Sequence, residues 1–155
     1  MKKIIFSLLL FLFVFQTSIA QESTSITSKN SFIEWNFGIA FISEENFPFP
    51  GTSVLWGKTY INDNDIIFEY QAGFALPSLV TGKIGIGKMF DTTKVIVGIR
   101  PFPFNVFLQS SFATKKNGYW IASVELNPLN ANTDISFGSK AILNVGYRWS
   151  LTAKE

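Results

Sequence analysis

The stretch IIFEYQAGF, residues 66–74, alternates between two kinds of side chain at every second position. One parity holds Ile66, Phe68, Tyr70, Ala72 and Phe74, and the other holds Ile67, Glu69, Gln71 and Gly73. Successive side chains of a β-strand point to opposite faces, so a period of two indicates a strand with one apolar and one more polar face. We therefore predict a strand at 65–76.

The same alternation recurs along the chain, and no long helical period of 3.6 residues follows the N-terminal segment. Turn residues separate the alternating runs at short intervals, which is typical of an all-β domain. We predict eight strands, near residues 32–43, 52–62, 65–76, 80–90, 93–100, 104–114, 118–127 and 136–149.

The connections between these strands fall into two groups. The second, fourth and sixth, NDND (62–65), DTT (91–93) and TKKNG (114–118), have the composition of tight polar hairpin turns. The other four, ENFPFPG, LPSL, PFPF and NPLNANTD, hold all six prolines. Odd and even connections of an up-and-down barrel lie at opposite ends. We call these the turn end and the proline end.

The N-terminal segment MKKIIFSLLLFLFVFQTSIA, residues 1–20, has the features of a cleaved secretory signal peptide: two lysines, an apolar run and a small-residue ending. A membrane anchor is the alternative, but the apolar run is shorter than the roughly 20 residues that a spanning helix needs. The predicted organisation continues with a polar leader at 21–30, a barrel domain at 31–150 and a tail at 151–155.

The chain beyond residue 20 carries few charges. Without Lys2 and Lys3 it has 11 basic and 11 acidic residues, so it is formally neutral and no nucleic-acid partner is predicted. These 22 charges among 135 residues are about 16%, against about 25% in a typical soluble domain. The chain has no cysteine, so no disulfide stabilises the exported domain.

Eight antiparallel strands are predicted to close into an up-and-down barrel, which leaves no unpaired edge. A secreted lipocalin-like barrel would turn its apolar face inward around an apolar ligand, whereas a transmembrane β-barrel would turn it outward to lipid. The sparse charge favours the transmembrane barrel, and an eight-stranded interior is too narrow for so many large apolar side chains. Six aromatic residues near strand ends are then predicted interface residues: Trp35, Tyr60, Tyr119, Trp120, Tyr147 and Trp149.

The opposite face would line the lumen. Its predicted charged residues are Glu34, Glu69, Glu125, Lys83, Lys140 and Arg148. Because buried charges must be paired and hydrogen-bonded, these residues are predicted to form a compensated network that plugs the barrel. The alternative is a narrow pore or a path for protons or ions.

The last strand carries a resemblance to a known family. In AILNVGYRWS, residues 141–150, Val145, Tyr147 and Trp149 alternate with other residues toward an aromatic end. With the signal peptide and the eight alternating strands, this pattern resembles the small, eight-stranded (OmpX-type) outer-membrane β-barrel proteins of Gram-negative bacteria. The resemblance implies an outer-membrane location, contact with outer-membrane lipid, and recognition of the last strand by the barrel-assembly machinery. The residues after Trp149 depart from the many members that end on the aromatic.

The chain has no histidine, which excludes Ser-His-Asp and Cys-His catalysis and histidine-based metal sites. No enzymatic activity, cofactor or metal is predicted, and the role is expected to be structural or one of surface interaction. Phenylalanines beside the prolines at the proline end are predicted to form an outer-loop hydrophobic patch that strengthens the interface or contacts lipid or a partner: Phe47, Phe49, Phe102 and Phe104.

Overall fold

The chain forms a closed barrel of eight antiparallel strands, in which each strand pairs with the next and the last pairs with the first. The computed structural model describes residues 25–42, 48–76, 78–115, 117–128 and 139–151. The predicted all-β, eight-stranded, up-and-down barrel is thereby confirmed. The strands are β1 Ile26–Ile42, β2 Pro48–Asn62, β3 Ile66–Leu76, β4 Leu79–Phe90, β5 Thr93–Arg100, β6 Asn105–Ala113, β7 Gly118–Leu126 and β8 Ser139–Ser150. Within the described ranges, no helix is both long and apolar enough to cross a membrane.

Two strands are longer than the alternation predicts. β1 begins at Ile26 rather than near residue 32, so it includes half of the predicted polar leader. β2 begins at Pro48 rather than near residue 52. The two strands pair with each other from Ile26 opposite Asn62 to Phe41 opposite Pro48. Hydrogen bonding between backbones does not require apolar side chains, so this part of the ladder leaves no alternation in the sequence.

The structure corrects the prediction for the FPFP motif, residues 47–50, which the sequence analysis places in the connection ENFPFPG. Residues 48–50 belong to β2 and pair with residues 39–41 of β1. The pairing of β2 with β3 begins only at Thr52, opposite Leu76. Proline has no backbone N–H to donate, and a strand accepts it where one side has no ladder to complete. The PFPF motif at 101–104 is a turn between β5 and β6, as predicted.

The strands are staggered by ten residues around the barrel. Directly opposed residues of neighbouring strands form an outward-facing row around the barrel. The row leaves β1 at Ser31 and returns to it ten residues later, at Phe41: Ser31, Lys58, Tyr70, Ile84, Ile99, Val106, Leu126, Ala141, Phe41. For eight strands, such a stagger requires a strand tilt of roughly 40° and an interior that side chains can fill.

The turn end is formed by short, hydrogen-bonded connections. The Asn62 side chain accepts hydrogen bonds from the backbone N–H groups of Asn64 and Ile66, at 3.0 and 2.8 Å. The hydroxyl groups of Ser25 and Thr27 donate to the Asp63 carboxylate, and these hydrogen bonds lower the pKa of that carboxyl group. The start of β1 is thus attached to the turn between β2 and β3.

Candidate functional site

The barrel interior holds most of the charged side chains of the described strands. Four are basic and three are acidic, and each is at most 6% exposed: Lys83, Lys94, Arg100, Arg148, Glu34, Glu69 and Glu125. They reach the interior because strand alternation sends every second side chain inward. Charges this deep need partners, and the contacts form two clusters.

The first group, which we call the turn-end cluster, is centred on Arg148 of β8. Its Nε donates to Glu34 Oε2 at 2.9 Å, and its Nη1 donates to Glu69 Oε2 at 2.6 Å. Thr59 donates to Glu69 Oε2 at 2.7 Å, and Asn36 Nδ2 donates to Glu34 Oε1 at 2.8 Å. One guanidinium therefore bridges carboxylates from β1 and β3, and each carboxylate has a further neutral donor.

Aromatic rings complete the surroundings of the cations near the turn end. The Arg148 guanidinium carbon lies 3.7 Å from the centre of the Phe32 ring. Lys94 Nζ lies 4.3 Å from the centre of the Tyr119 ring. The negative face of an aromatic ring attracts a cation, so these contacts replace part of the lost hydration.

The second group, which we call the proline-end cluster, is centred on Glu125 of β7. Its Oε1 accepts from Lys83 Nζ at 2.7 Å, from Arg100 Nη2 at 2.8 Å and from Asn144 Nδ2 at 3.0 Å. Three donors thus converge on one carboxylate oxygen, while no partner is found for Glu125 Oε2 in the described part of the chain. Within the described ranges, two cations here face one acidic group.

An apolar layer lies beside these polar contacts. Ile67, Ile96 and Phe107 pack together at 3% exposure or less, with Ile61 and Met89 against them. Two glycines allow the strands and rings to approach: an added Cβ at Gly85 would lie 3.1 Å from the Phe107 ring, and one at Gly98 would lie 2.8 Å from it. The interior is thus filled by side chains, as the strand number predicts.

A small cavity opens above the proline-end cluster. It has a volume of about 50 Å³, and Arg100, Ser53, Ser139 and Asn144 line it. Pro103 of the PFPF turn forms part of its wall. This turn is fixed by a hydrogen bond of 3.2 Å from the Thr81 hydroxyl to the Phe102 carbonyl.

The structure places five of the six predicted lumenal charges in the interior, and the sixth, Lys140, is exposed. The reason is a register shift: Phe41 pairs with Ala141, but the next residue of β1, Ile42, pairs with Ser139. Lys140 has no partner in β1 at this irregularity, and simple alternation counted back from Arg148 gives it the wrong face. The inward-facing residue there is Ser139, which is 5% exposed.

Sequence reasoning missed two interior cations, Lys94 and Arg100. The sequence TKVIVGIR of β5 places both on the parity of Ile96 and Gly98, opposite Val95 and the other outward residues. That parity was the available signal, because it carries both charges of the strand and only one β-branched apolar residue, Ile96, whereas the other parity is formed by Thr93, Val95, Val97 and Ile99.

The predicted interface aromatics lie on the outer wall with one exception. Trp35, Trp120 and Trp149 are 45–60% exposed, and Tyr147 stacks edge-on against Trp120 and Trp149 with ring centres 5.2 and 5.0 Å apart. Tyr119 is the exception and a correction, because it shares the inward parity of β7 and contacts Lys94.

The predicted outer-loop patch is only partly described by the structure. Phe49 and Phe102 are 37% and 49% exposed, and Phe104 is half-buried. Phe49 lies in β2 rather than in a loop. Phe47 lies outside the described residues.

The contacts of the interior site are ion pairs and hydrogen bonds between side chains of different strands. Among the described residues, no three His, Cys, Asp or Glu side chains are grouped closely enough to hold a metal ion. The acidic groups are engaged by basic partners within the wall. No family model, curated protein or solved structure matches this chain.

Proposed function

We propose that this protein is a non-enzymatic outer-membrane β-barrel with a structural or surface-interaction role and a lumen plugged by its own charged side chains. The observation that carries the proposal is the inverted polarity of the barrel. Charged groups lie inside at 6% exposure or less, while large apolar side chains such as Phe74, Val97 and Leu108 are 48–66% exposed on the outside. This arrangement suits a lipid environment.

The outer wall is nearly free of charge. Outward-facing charged residues of the described strands are confined to lysines near the two ends of the barrel: Lys29, Lys58, Lys88 and Lys140. Between them, β1 presents outward residues from Ile33 to Phe41. At about 3.3 Å per residue and a tilt of about 40°, this band is on the order of 20 Å tall, close to that of an outer-membrane barrel.

Residues near the turn end have the chemistry of a membrane interface. Lys29 Nζ lies 5.6 Å from the centre of the Tyr60 ring, and Tyr60 stacks on Tyr70 with ring centres 6.2 Å apart. Lys58 lies directly between Ser31 and Tyr70 on the same outer face. Tyrosine and lysine are favoured where an apolar surface meets headgroups, because each has an apolar body and a polar tip.

The two alternative functions find less support in the interior. A lipocalin-like carrier needs an apolar ligand cavity of roughly 300 Å³ or more, whereas the cavity at the proline end holds only about 50 Å³. A narrow pore would have to pass the packed Ile67, Ile96 and Phe107 side chains. The plugged barrel is therefore preferred to both.

Cell fractionation combined with heat-modifiable gel migration tests the proposal. A folded membrane barrel resists detergent without heating, so we expect recovery in the outer-membrane fraction and a mobility shift between unheated and boiled samples. Recovery in the soluble periplasmic fraction would instead favour the lipocalin-like carrier and contradict the proposal.

Planar-bilayer recording separates the plug from the pore. We expect no steady conductance from barrels whose insertion has been verified by protease protection. Stable unitary currents from the same sample would show that the charged interior is a conducting path.

A further inference from the structure

The charges of the barrel interior are unequally divided between the two clusters. Near the turn end, Arg148 and Lys94 face Glu34 and Glu69, so positive and negative groups are equal in number. In the proline-end cluster, Lys83 and Arg100 face Glu125, and no other acidic residue of the described strands lies at this end. One positive charge in the described interior therefore lacks a counter-charge, and a buried charge without one is costly.

The excess charge adjoins the cavity. Arg100 is 6% exposed and lines the cavity of about 50 Å³ at the proline end. Its Nη2 donates to Glu125, but its Nε has no hydrogen-bond partner in the described part of the chain. A guanidinium N–H that is both buried and unpaired is rare in proteins, because a buried donor without a hydrogen bond costs free energy.

Hydroxyl groups form part of the lining of the same space, together with apolar residues such as Ala40 and Ile142. Ser53, Ser78 and Ser139 line the cavity beside Arg100. A hydroxyl rotates freely and can donate to whichever acceptor is present. A cavity of this volume has room for a few water molecules or for one small anion, but not for a drug-sized ligand.

We propose that the cavity above Arg100 binds a small oxyanion, of the class of inorganic phosphate, sulfate or a short carboxylate. The anion supplies the counter-charge that Lys83 and Arg100 lack, accepts from Arg100 Nε and takes further hydrogen bonds from the serine hydroxyls. Guanidinium groups suit oxyanions because their planar N–H groups match the spacing of two oxygens. The site goes beyond the structural role proposed above and does not depend on the membrane location.

Titration of the full-length barrel with inorganic phosphate tests this site. The protein is refolded in detergent, and phosphate is added by isothermal titration calorimetry at constant ionic strength, with chloride as the balancing anion. We expect saturable binding with one phosphate per barrel, and competition by sulfate. Absence of saturable binding to the wild-type protein would overturn the proposal without any variant.

Two variants locate the binding. Arg100→Gln removes the guanidinium that lines the cavity, and we expect the phosphate affinity to fall at least tenfold. Lys140→Gln is the matched control, since it removes a positive charge from the same end but from an exposed position, and the affinity should stay within twofold. An equal loss in both variants would mean non-specific attraction and would contradict the site.

A third variant decides the matter if Arg100→Gln does not refold. Glu125→Gln removes the carboxylate that competes with phosphate for Arg100 and Lys83. The affinity for phosphate is then expected to rise several-fold, whereas an unchanged or lower affinity counts against the proposal.

Discussion

Arg148 is the residue on which most of the turn-end contacts converge. Its guanidinium binds Glu34 and Glu69 and lies against the Phe32 ring, and the side chain is 2% exposed. Removing one partner of a buried ion pair is far more costly than removing the whole group, because the remaining charge stays buried without compensation. The energetic role of Arg148 is thus to compensate the buried negative charge of the two carboxylates.

Arg148→Met is expected to lower the free energy of unfolding by about 3–5 kcal/mol, since it leaves two buried carboxylates without their cation. Urea unfolding of the barrel in phospholipid vesicles measures the change. The triple variant Arg148→Met, Glu34→Gln, Glu69→Gln is the control, because it removes all three charges together. It should be more stable than Arg148→Met alone, and a triple variant that is less stable would argue against uncompensated charge as the cause.

At the scale of the element, the pairing of β4 with β5 shows how closely the strand backbones approach the side chains that fill the interior. An added Cβ at Gly98 would lie 2.6 Å from the Gly85 backbone and 2.8 Å from the Phe107 ring. Gly82 in β4 faces outward, where an added Cβ would lie 3.3 Å from the nearest atom, the Gln71 carbonyl oxygen. One glycine is therefore required by packing and the other is not.

Gly98→Ala is expected to destabilise the barrel by about 1–3 kcal/mol through overpacking. Gly82→Ala, the matched control, should change stability by less than about 0.5 kcal/mol, as surface substitutions usually do. Thermal unfolding in one detergent compares the two variants. Equal effects would show that chain flexibility, rather than interior crowding, determines the cost.

The phenylalanines of β2 and of the PFPF turn are expected to be dispensable for folding. Phe49→Ser with Phe102→Ser removes side chains that are 37% and 49% exposed, so heat-modifiable migration should be preserved. Phe107→Ser is the control of the same residue type at 3% exposure, and it should cost about 3 kcal/mol or more. Loss of the migration shift in the double variant would place these residues in the folding core.

Strand order and facing were predictable from sequence wherever one face is polar, as in β3 and β7. The errors in strand bounds and in facing arise where the pairing with a neighbouring strand differs from what the local alternation predicts. Lys140 was misplaced by a register shift that only the partner strand imposes, and the early start of β1 depends on backbone pairing with β2. Such features are set by neighbours distant in sequence, which alternation does not report. Arg100 is a different case, because it shares its parity with Lys94 and alternation alone would have placed both inside.

At the scale of the whole molecule, substitutions in the outer wall test whether lipid or water surrounds the barrel. Leu108 lies in the middle of β6, is 53% exposed, and pairs with Val97 and Val124 on the same face. Thr93 also faces outward, but at the turn end. If lipid surrounds the barrel, a charge at these two depths has different costs.

Leu108→Arg is expected to cost about 2–4 kcal/mol in phospholipid vesicles, and Thr93→Arg about 0–1 kcal/mol. Reversible urea unfolding of vesicle-inserted protein measures both values. Equal and small effects of the two substitutions would indicate that water surrounds the middle of the wall.

The closing seam between β1 and β8 has a consequence for the order of assembly. Arg148 follows Glu34 by 114 residues, yet the two lie directly opposite each other in the closed barrel and are joined by a buried ion pair. Before β8 pairs with β1, the acidic groups of β1 and β3 lack the Arg148 guanidinium that binds both of them in the closed barrel. Closure of the barrel therefore brings Arg148 to Glu34 and Glu69 in the same step. A chain without β8 would leave these two carboxylates without that cation.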